Sequence, residues 1–198
     1  MSKKLKFLAM VLLGIMFISN HVLAANQTLT LSDIGAALTS TANTTAATTN
    51  ITATGDNTGT YTLNYYQCKK QTNTNHAMFL TKSVDAYISN KTAMPGDIVS
   101  VTVHVLTGAA KATTYYCTFS TTECKSAYVP TGSTAVNISG GSSNKYTCSV
   151  SGARYFCISL GNANNGQVWK LDVEYSSGST KTLLFPSHKS ACSFFESI

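Results

Sequence analysis

Cysteine and histidine are the residues of this chain that offer the most chemistry. The 198 residues include six cysteines, at positions 68, 117, 124, 148, 157 and 192. An even number of cysteines in a chain that enters an oxidising compartment predicts three disulfides. Zinc binding is the alternative, but the chain has no C-x2-C pair, and His76, His104 and His188 are scattered along it. We therefore expect no metal site and no cofactor.

Local spacing predicts how four of the cysteines pair. Ser151-Gly152-Ala153-Arg154 has glycine at the first central position of a two-residue turn, where a type II′ turn requires a positive φ. That turn puts Cys148 opposite Cys157 in an antiparallel pair, which is within disulfide reach. A short turn near Thr121 puts Cys117 opposite Cys124 in the same way. Elimination leaves Cys68 with Cys192, although six cysteines allow 15 connectivities.

The sequence lacks the common catalytic motifs. It contains no G-x-S-x-G, H-E-x-x-H, P-loop or G-x-G-x-x-G. His104 has the residue type of a base or ligand, but a histidine on the solvent face of a strand needs no function. A cysteine nucleophile is disfavoured because we expect every cysteine to be oxidised. These observations disfavour catalysis, and we expect a protein that is not an enzyme.

Tyrosine supplies the candidate binding residues. Tyr65-Tyr66 and Tyr115-Tyr116 are adjacent pairs in strand-like segments, so that alternation must turn one member of each pair outward. An outward aromatic ring on a surface with few charges can stack on a sugar or anchor a protein partner. The alternative is cross-strand packing that only shields the sheet.

The elements that position these residues are predicted from period-two patterns. In residues 97–106, Val99, Val101, Val103 and Val105 alternate with Ser100, Thr102 and His104, which is typical of a strand with one buried face. Residues 60–66 alternate in the same way. Residues 169–176 predict one strand of a hairpin that turns at Ser177-Gly178, places Trp169 in the core and sets Glu174 opposite Lys181.

The N-terminal segment predicts export. Residues 1–24 combine the basic residues Lys3, Lys4 and Lys6 with an apolar run and a small-residue cleavage site, the pattern of a secretory signal peptide. We therefore expect a secreted or periplasmic protein with no membrane span after cleavage. Removal of three of the 14 basic residues leaves 11 against eight acidic residues, about +3. Without a basic cluster, nucleic acid is not an expected partner.

Composition divides the rest of the chain. Residues 25–58 are rich in Thr, Ala and Asn and have few apolar residues, which predicts a flexible leader with at most a docked strand or turn. Residues 59–198 are then a single folded domain, long enough for one hydrophobic core.

Together these patterns predict an all-β fold, an antiparallel β-sandwich stapled by disulfides and immunoglobulin-like in general architecture. Residues 95–101, Pro-Gly-Asp-Ile-Val-Ser-Val, resemble the turn-into-strand segment of many bacterial immunoglobulin-like domains. The expected function is a secreted binding module whose partner is an unknown glycan or protein. The alternatives are a structural or assembling envelope component and a small secreted hydrolase.

Overall fold

The computed structural model describes residues 25–41, 43–71, 76–79, 85–106, 114–125, 136–137, 143–160 and 165–177. These residues form twelve strands and one turn of 3₁₀ helix, Ile34–Ala37. The strands are β1 (Asn26–Ser32), β2 (Ala47–Gly55), β3 (Gly59–Tyr66), β4 (Cys68–Lys70), β5 (Ala77–Phe79), β6 (Tyr87–Asn90), β7 (Ile98–Val105), β8 (Thr114–Ser120), β9 (Val136–Asn137), β10 (Ser143–Thr147), β11 (Tyr155–Leu160) and β12 (Gln167–Ser176).

Nine of the strands form one antiparallel sheet that curls nearly into a barrel. Their order across the sheet is β10-β7-β12-β1-β2-β3-β6-β11-β8, and β9 adds two residues beside β8. The pair β4–β5 joins the sheet through β12. The predicted all-β antiparallel fold is thus confirmed, whereas the finer prediction of an immunoglobulin-like sandwich is not.

The valine-rich strand β7 shows why one face of the sheet is buried. Val101, Val103 and Val105 are fully buried, while Thr102 and His104 on the opposite face are partly exposed. This confirms the predicted alternation along most of the strand. Val99 departs from it and is only half-buried, because the register with β12 shifts there and Ile98 takes the inward position.

The segment 25–58 contributes two strands to the sheet, β1 and β2, and is not the predicted flexible leader. Strand β1 pairs with β12 along its whole length, and Leu29 and Leu31 are fully buried. The folded domain therefore begins by Asn26 and not near residue 59. Composition misled the prediction because two alternating leucines are enough for the inner face of a short strand, and threonine serves well on the outer face.

Gly55 lets the sheet turn its corner at β2. Strand β2 pairs with β3 from Ala47 to Ala53 and reaches β1 only at Thr54 and Gly55. Gly55 has φ 108°, and a Cβ there would overlap the carbonyl oxygen of Thr28. Because an L side chain tolerates neither feature, a glycine is required at this corner.

The two predicted cysteine hairpins do not form. Gly152 has the predicted positive φ, 71°, but β10 pairs with β7 while β11 pairs with β6 and β8. The register that put Cys148 opposite Cys157 is therefore wrong. After β8, residues 121–125 form no strand, so Cys117 and Cys124 do not lie opposite each other in a hairpin. Cys192, like the signal segment 1–24 and His188, lies outside the described residues.

Strand β12 has neighbours on both edges, which excludes the third predicted hairpin. It pairs with β1 along one edge and with β7 along the other. Glu174 accordingly lies opposite Thr28 and Ser100, and the predicted register with Lys181 is wrong. Residues 178–198 themselves are outside the described part of the chain.

We expect Leu31→Ala to lower the free energy of unfolding by about 2 to 4 kcal/mol, because it leaves a cavity beside β12. Chemical denaturation followed by circular dichroism measures the change. Thr28→Ala, on the exposed face of the same strand, is the matched control and should stay within about 0.5 kcal/mol of wild type. Equal stability of the leucine variant and wild type would contradict the buried position of β1.

Candidate functional site

A β-bulge in β12 turns Trp169 out of the core. Val168 lies opposite Val105 and Lys170 lies opposite His104, so Trp169 is an extra residue in the ladder. Such bulges redirect a side chain, and here the ring of Trp169 is half-buried beside the outward ring of His104. The prediction that Trp169 faces the core is wrong for this reason. Leu171, Val173 and Tyr175, beyond the bulge, do face the core as predicted.

Two histidines and a lysine lie near the Trp169 ring. The ring centroids of His104 and His76 lie 5.6 and 6.4 Å from that of Trp169. Lys170 Nζ lies 5.6 Å from the Trp169 centroid, a cation–π distance. The structure thus brings together two of the three histidines noted in the sequence, although they are far apart along the chain.

Asp172 completes this cluster and bonds to the side chains of His104, Lys170 and Thr30. Its Oδ2 lies 2.7 Å from His104 Nε2 and 3.0 Å from Lys170 Nζ, and its Oδ1 accepts a hydrogen bond from Thr30 Oγ1 at 2.7 Å. Partial burial raises the pKa of Asp172, but the hydrogen bonds from Thr30, Lys170 and His104 outweigh it and lower the pKa overall. Because an ionised carboxylate only accepts hydrogen bonds, His104 Nε2 is the donor in this contact.

We call Trp169, His76, His104, Lys170 and Asp172 the Trp169 site. It combines an aromatic ring with side chains that can donate and accept hydrogen bonds on the outer face of the sheet. The sequence indicated the outward direction of His104, through the alternation of β7. It gave no sign of the bulge, because a bulge depends on the register between two strands that are about 60 residues apart in the chain.

A second polar cluster lies along the same face around Glu174. Its carboxylate accepts hydrogen bonds from Lys145 Nζ at 2.8 Å, Asn26 Nδ2 at 2.8 Å and Ser100 Oγ at 2.9 Å. These bonds, that of Lys145 first, lower the pKa of Glu174 to about 2. The cluster joins β10, β7, β12 and β1, so it stabilises the pairing of four strands.

The four candidate tyrosines occupy the other half of the sheet. Tyr65 and Tyr115 are buried, whereas Tyr66 and Tyr116 are partly exposed, which confirms that one member of each pair turns outward. Cross-strand pairing puts Tyr66, Tyr87, Ser159 and Tyr116 in one row over four adjacent strands. We call this the tyrosine row. The rings of Tyr66 and Tyr87 are 6.2 Å apart and tilted, so part of the row is cross-strand packing.

Residues 123–125 cross the outer face next to the tyrosine row. Tyr87 Oη donates to the carbonyl of Lys125 at 2.9 Å, and Ser89 Oγ donates to that of Cys124 at 2.7 Å. Asn64 Nδ2 donates to Glu123 Oε1 at 3.0 Å. This crossing segment buries polar side chains that the alternation of β3 and β6 would leave exposed. The residues of the tyrosine row that stay partly exposed are Tyr66 and Tyr116.

The described cysteines, histidines and carboxylates were compared with the arrangements that hold metal ions. Within the described ranges, no group of three or more His, Cys, Asp or Glu side chains is arranged to hold a metal ion. No disulfide joins Cys68, Cys117, Cys124, Cys148 and Cys157 in the structure. None of the helical segments in the described part of the chain has the length and hydropathy that a membrane span requires.

The chain matches no family model, no curated protein and no solved structure. The assignment of a function therefore depends on the two outer-face sites.

We expect acid to remove the stabilisation that Glu174 provides. Its folded-state pKa lies below its ordinary value of 4.5, so the contribution is complete above about pH 4.5 and is lost as the pH falls towards 2. Glu174→Gln should cost about 1 to 2 kcal/mol at pH 7, after allowance for solvent screening, and much less at pH 2.5.

Urea unfolding from pH 7 to 2.5 measures this difference. Asp97→Asn is a suitable control, since that exposed carboxylate lies 3.6 Å from Arg154 and should contribute little. A Glu174→Gln penalty that stays constant over this pH range would show that the carboxylate is not held by its partners.

Proposed function

We propose that the protein is a secreted, non-enzymatic binding module and that it binds a glycan at the Trp169 site. One observation carries this proposal: a bulge turns the only tryptophan of the chain outward, near two imidazoles and near Lys170, which is paired with Asp172. The signal peptide predicted at residues 1–24 supports export.

The chemistry of the site favours a sugar over other ligands. The apolar face of an indole packs against the C–H groups of a pyranose ring, while carboxylate, imidazole and ammonium groups exchange hydrogen bonds with its hydroxyls. The charges of Lys170 and Asp172 offset each other, which suits an uncharged polyhydroxyl ligand. A protein interface would instead have few charges around its central aromatic residue.

The site is also held in place before a ligand arrives. Asp172 is bonded to side chains from β1, β7 and β12. Ligand binding therefore has little further freedom of this side chain to remove. A preformed arrangement of this kind lowers the entropic cost of binding.

We expect a screen of the secreted chain on a glycan array to give a ligand whose affinity depends on Trp169. Because Trp169 is the only tryptophan, its fluorescence, excited near 295 nm, reports on this site alone and should change on titration with that ligand. Trp169→Ala should weaken binding at least tenfold in calorimetry, about 1.4 kcal/mol, as for an aromatic anchor. Asp172→Asn should weaken it as well.

The tyrosine row supplies the matched control. Tyr116→Ala removes a partly exposed aromatic residue on the other half of the sheet and should leave the affinity unchanged. Loss of binding in Tyr66→Ala or Tyr116→Ala, with Trp169→Ala unaffected, would move the site to the tyrosine row. Failure to bind any glycan while a protein partner is captured through Trp169 would overturn the ligand class.

Hydrolysis is the second candidate, and one arrangement favours it. Ser143 on β10 is the cross-strand neighbour of His104, and His104 is bonded to Asp172. A serine, an imidazole and a carboxylate thus lie on three adjacent strands, which are the residue types of a nucleophile, a base and its orienting group.

For this second candidate we expect no turnover of ester or glycoside substrates by the purified protein. If hydrolysis is found, and if Ser143→Ala and His104→Asn each abolish it, the protein is an enzyme and the proposed function is wrong. Thr147→Ala, also exposed on β10, controls for general damage to the strand.

A further inference from the structure

The two edge strands of the nine-stranded sheet run in the same direction. Eight antiparallel pairings separate β10 from β8, and an even number of reversals restores the original direction. The gap between β10 and β8, which the two residues of β9 enter only beside Thr114 and Tyr115, is where the sheet does not close into a barrel. We call this gap the seam.

One buried hydrogen bond already crosses the seam. Tyr146 Oη on β10 donates to the carbonyl oxygen of Tyr115 on β8 at 2.9 Å. Cys148 and Cys117 each follow these tyrosines by two residues in the same direction. They therefore lie on the same faces as the tyrosines and about 6 to 7 Å further along.

Both of these cysteines point towards the core. Cys117 and Cys148 are half-buried and pack against the same hydrophobic cluster. Cys157, in contrast, lies opposite Thr118 while Ile158 lies opposite Cys117, so Cys157 faces the outside of the sheet. The main chain of Cys124 lies with the crossing segment on that outer face, at Ser89.

The thiol of Cys148 is one of three that lie near the thiol of Cys117. Burial raises the pKa of the Cys117 thiol, and the nearby thiols of Cys157, Cys148 and Cys124 raise it further. Only Cys148 among these three shares both the seam and the inner face with Cys117.

We propose that Cys117 and Cys148 form a disulfide that staples the seam. The two thiols lose two protons and two electrons as the Sγ–Sγ bond forms. The oxidant is another disulfide, either of a small thiol such as glutathione or of a thiol oxidoreductase, which is cleaved to two thiols. The bridge would join β10 and β8, which no backbone pairing joins among the described strands.

Peptide mapping of the full chain, oxidised with glutathione and alkylated without reduction, tests this pairing. Trypsin alone leaves Cys117 and Cys124 on one peptide, so Glu-C must also cleave after Glu123. We expect residues 112–123 linked to residues 146–154, and their separation after reduction. A link from residues 112–123 to Cys124, or from residues 146–154 to residues 155–170, would overturn the proposal. So would alkylation of both Cys117 and Cys148 without reduction.

Single substitutions provide the second measurement. Cys148→Ser should make Cys117 alkylatable, Cys117→Ser should do the same for Cys148, and each should lower Tm by roughly 10 °C under oxidising conditions. Full reduction should remove most of the difference from wild type. Cys124→Ser is the control and should leave residues 112–123 linked to residues 146–154. Should a variant fail to fold, the mapping of wild type still decides.

Discussion

The pairing of β12 along both edges is the constraint on which the rest of the structure depends. β1 covers one edge from Asn26 to Ser32, and β7 covers the other from Ile98 to Val105. Three strands from the start, middle and end of the described chain are thereby fixed in one register. That register determines which side chains face the core and which face outward. Leu31, Leu171 and Val103 lie side by side in the core.

Two irregularities, one at each end of the β7–β12 pair, determine which side chains lie on the outer surface of this half of the sheet. An extra residue on β7 at Val99 and another on β12 at Trp169 interrupt the ladder. Between these two irregularities, the outward side chains of both strands are charged or hydrogen-bonding groups. Asp172 and Glu174 lie two positions apart on β12. Bulges increase local twist, which is consistent with a sheet that curls strongly towards a barrel. The Trp169 site is therefore a product of the same departure from regularity that shapes the fold.

Sequence patterns predicted the faces of strands well and their partners poorly. The alternation in β7 correctly predicted that Val103 faces the core and His104 faces outward. The alternation in β3 likewise predicted the inward direction of Leu63, because side-chain direction is a local property. The turn at Gly152 also has its predicted φ, yet β10 and β11 pair with other strands, since a turn residue fixes local backbone angles and not the partner of each strand. The bulge at Trp169 and the buried place of β1 likewise depend on long-range pairing, which a single sequence does not encode in its local pattern.

The hydrogen bonds of the Trp169 site also limit what it can bind. Asp172 already accepts bonds from Thr30, His104 and Lys170, so a sugar hydroxyl must replace one of these donors or share the carboxylate with them. The net gain from such an exchange is small, since one hydrogen bond replaces another of similar strength. Most of the affinity must then come from contact with the indole ring. Trp169→Ala should therefore weaken binding more than Asp172→Asn, and the ligand must present an apolar face.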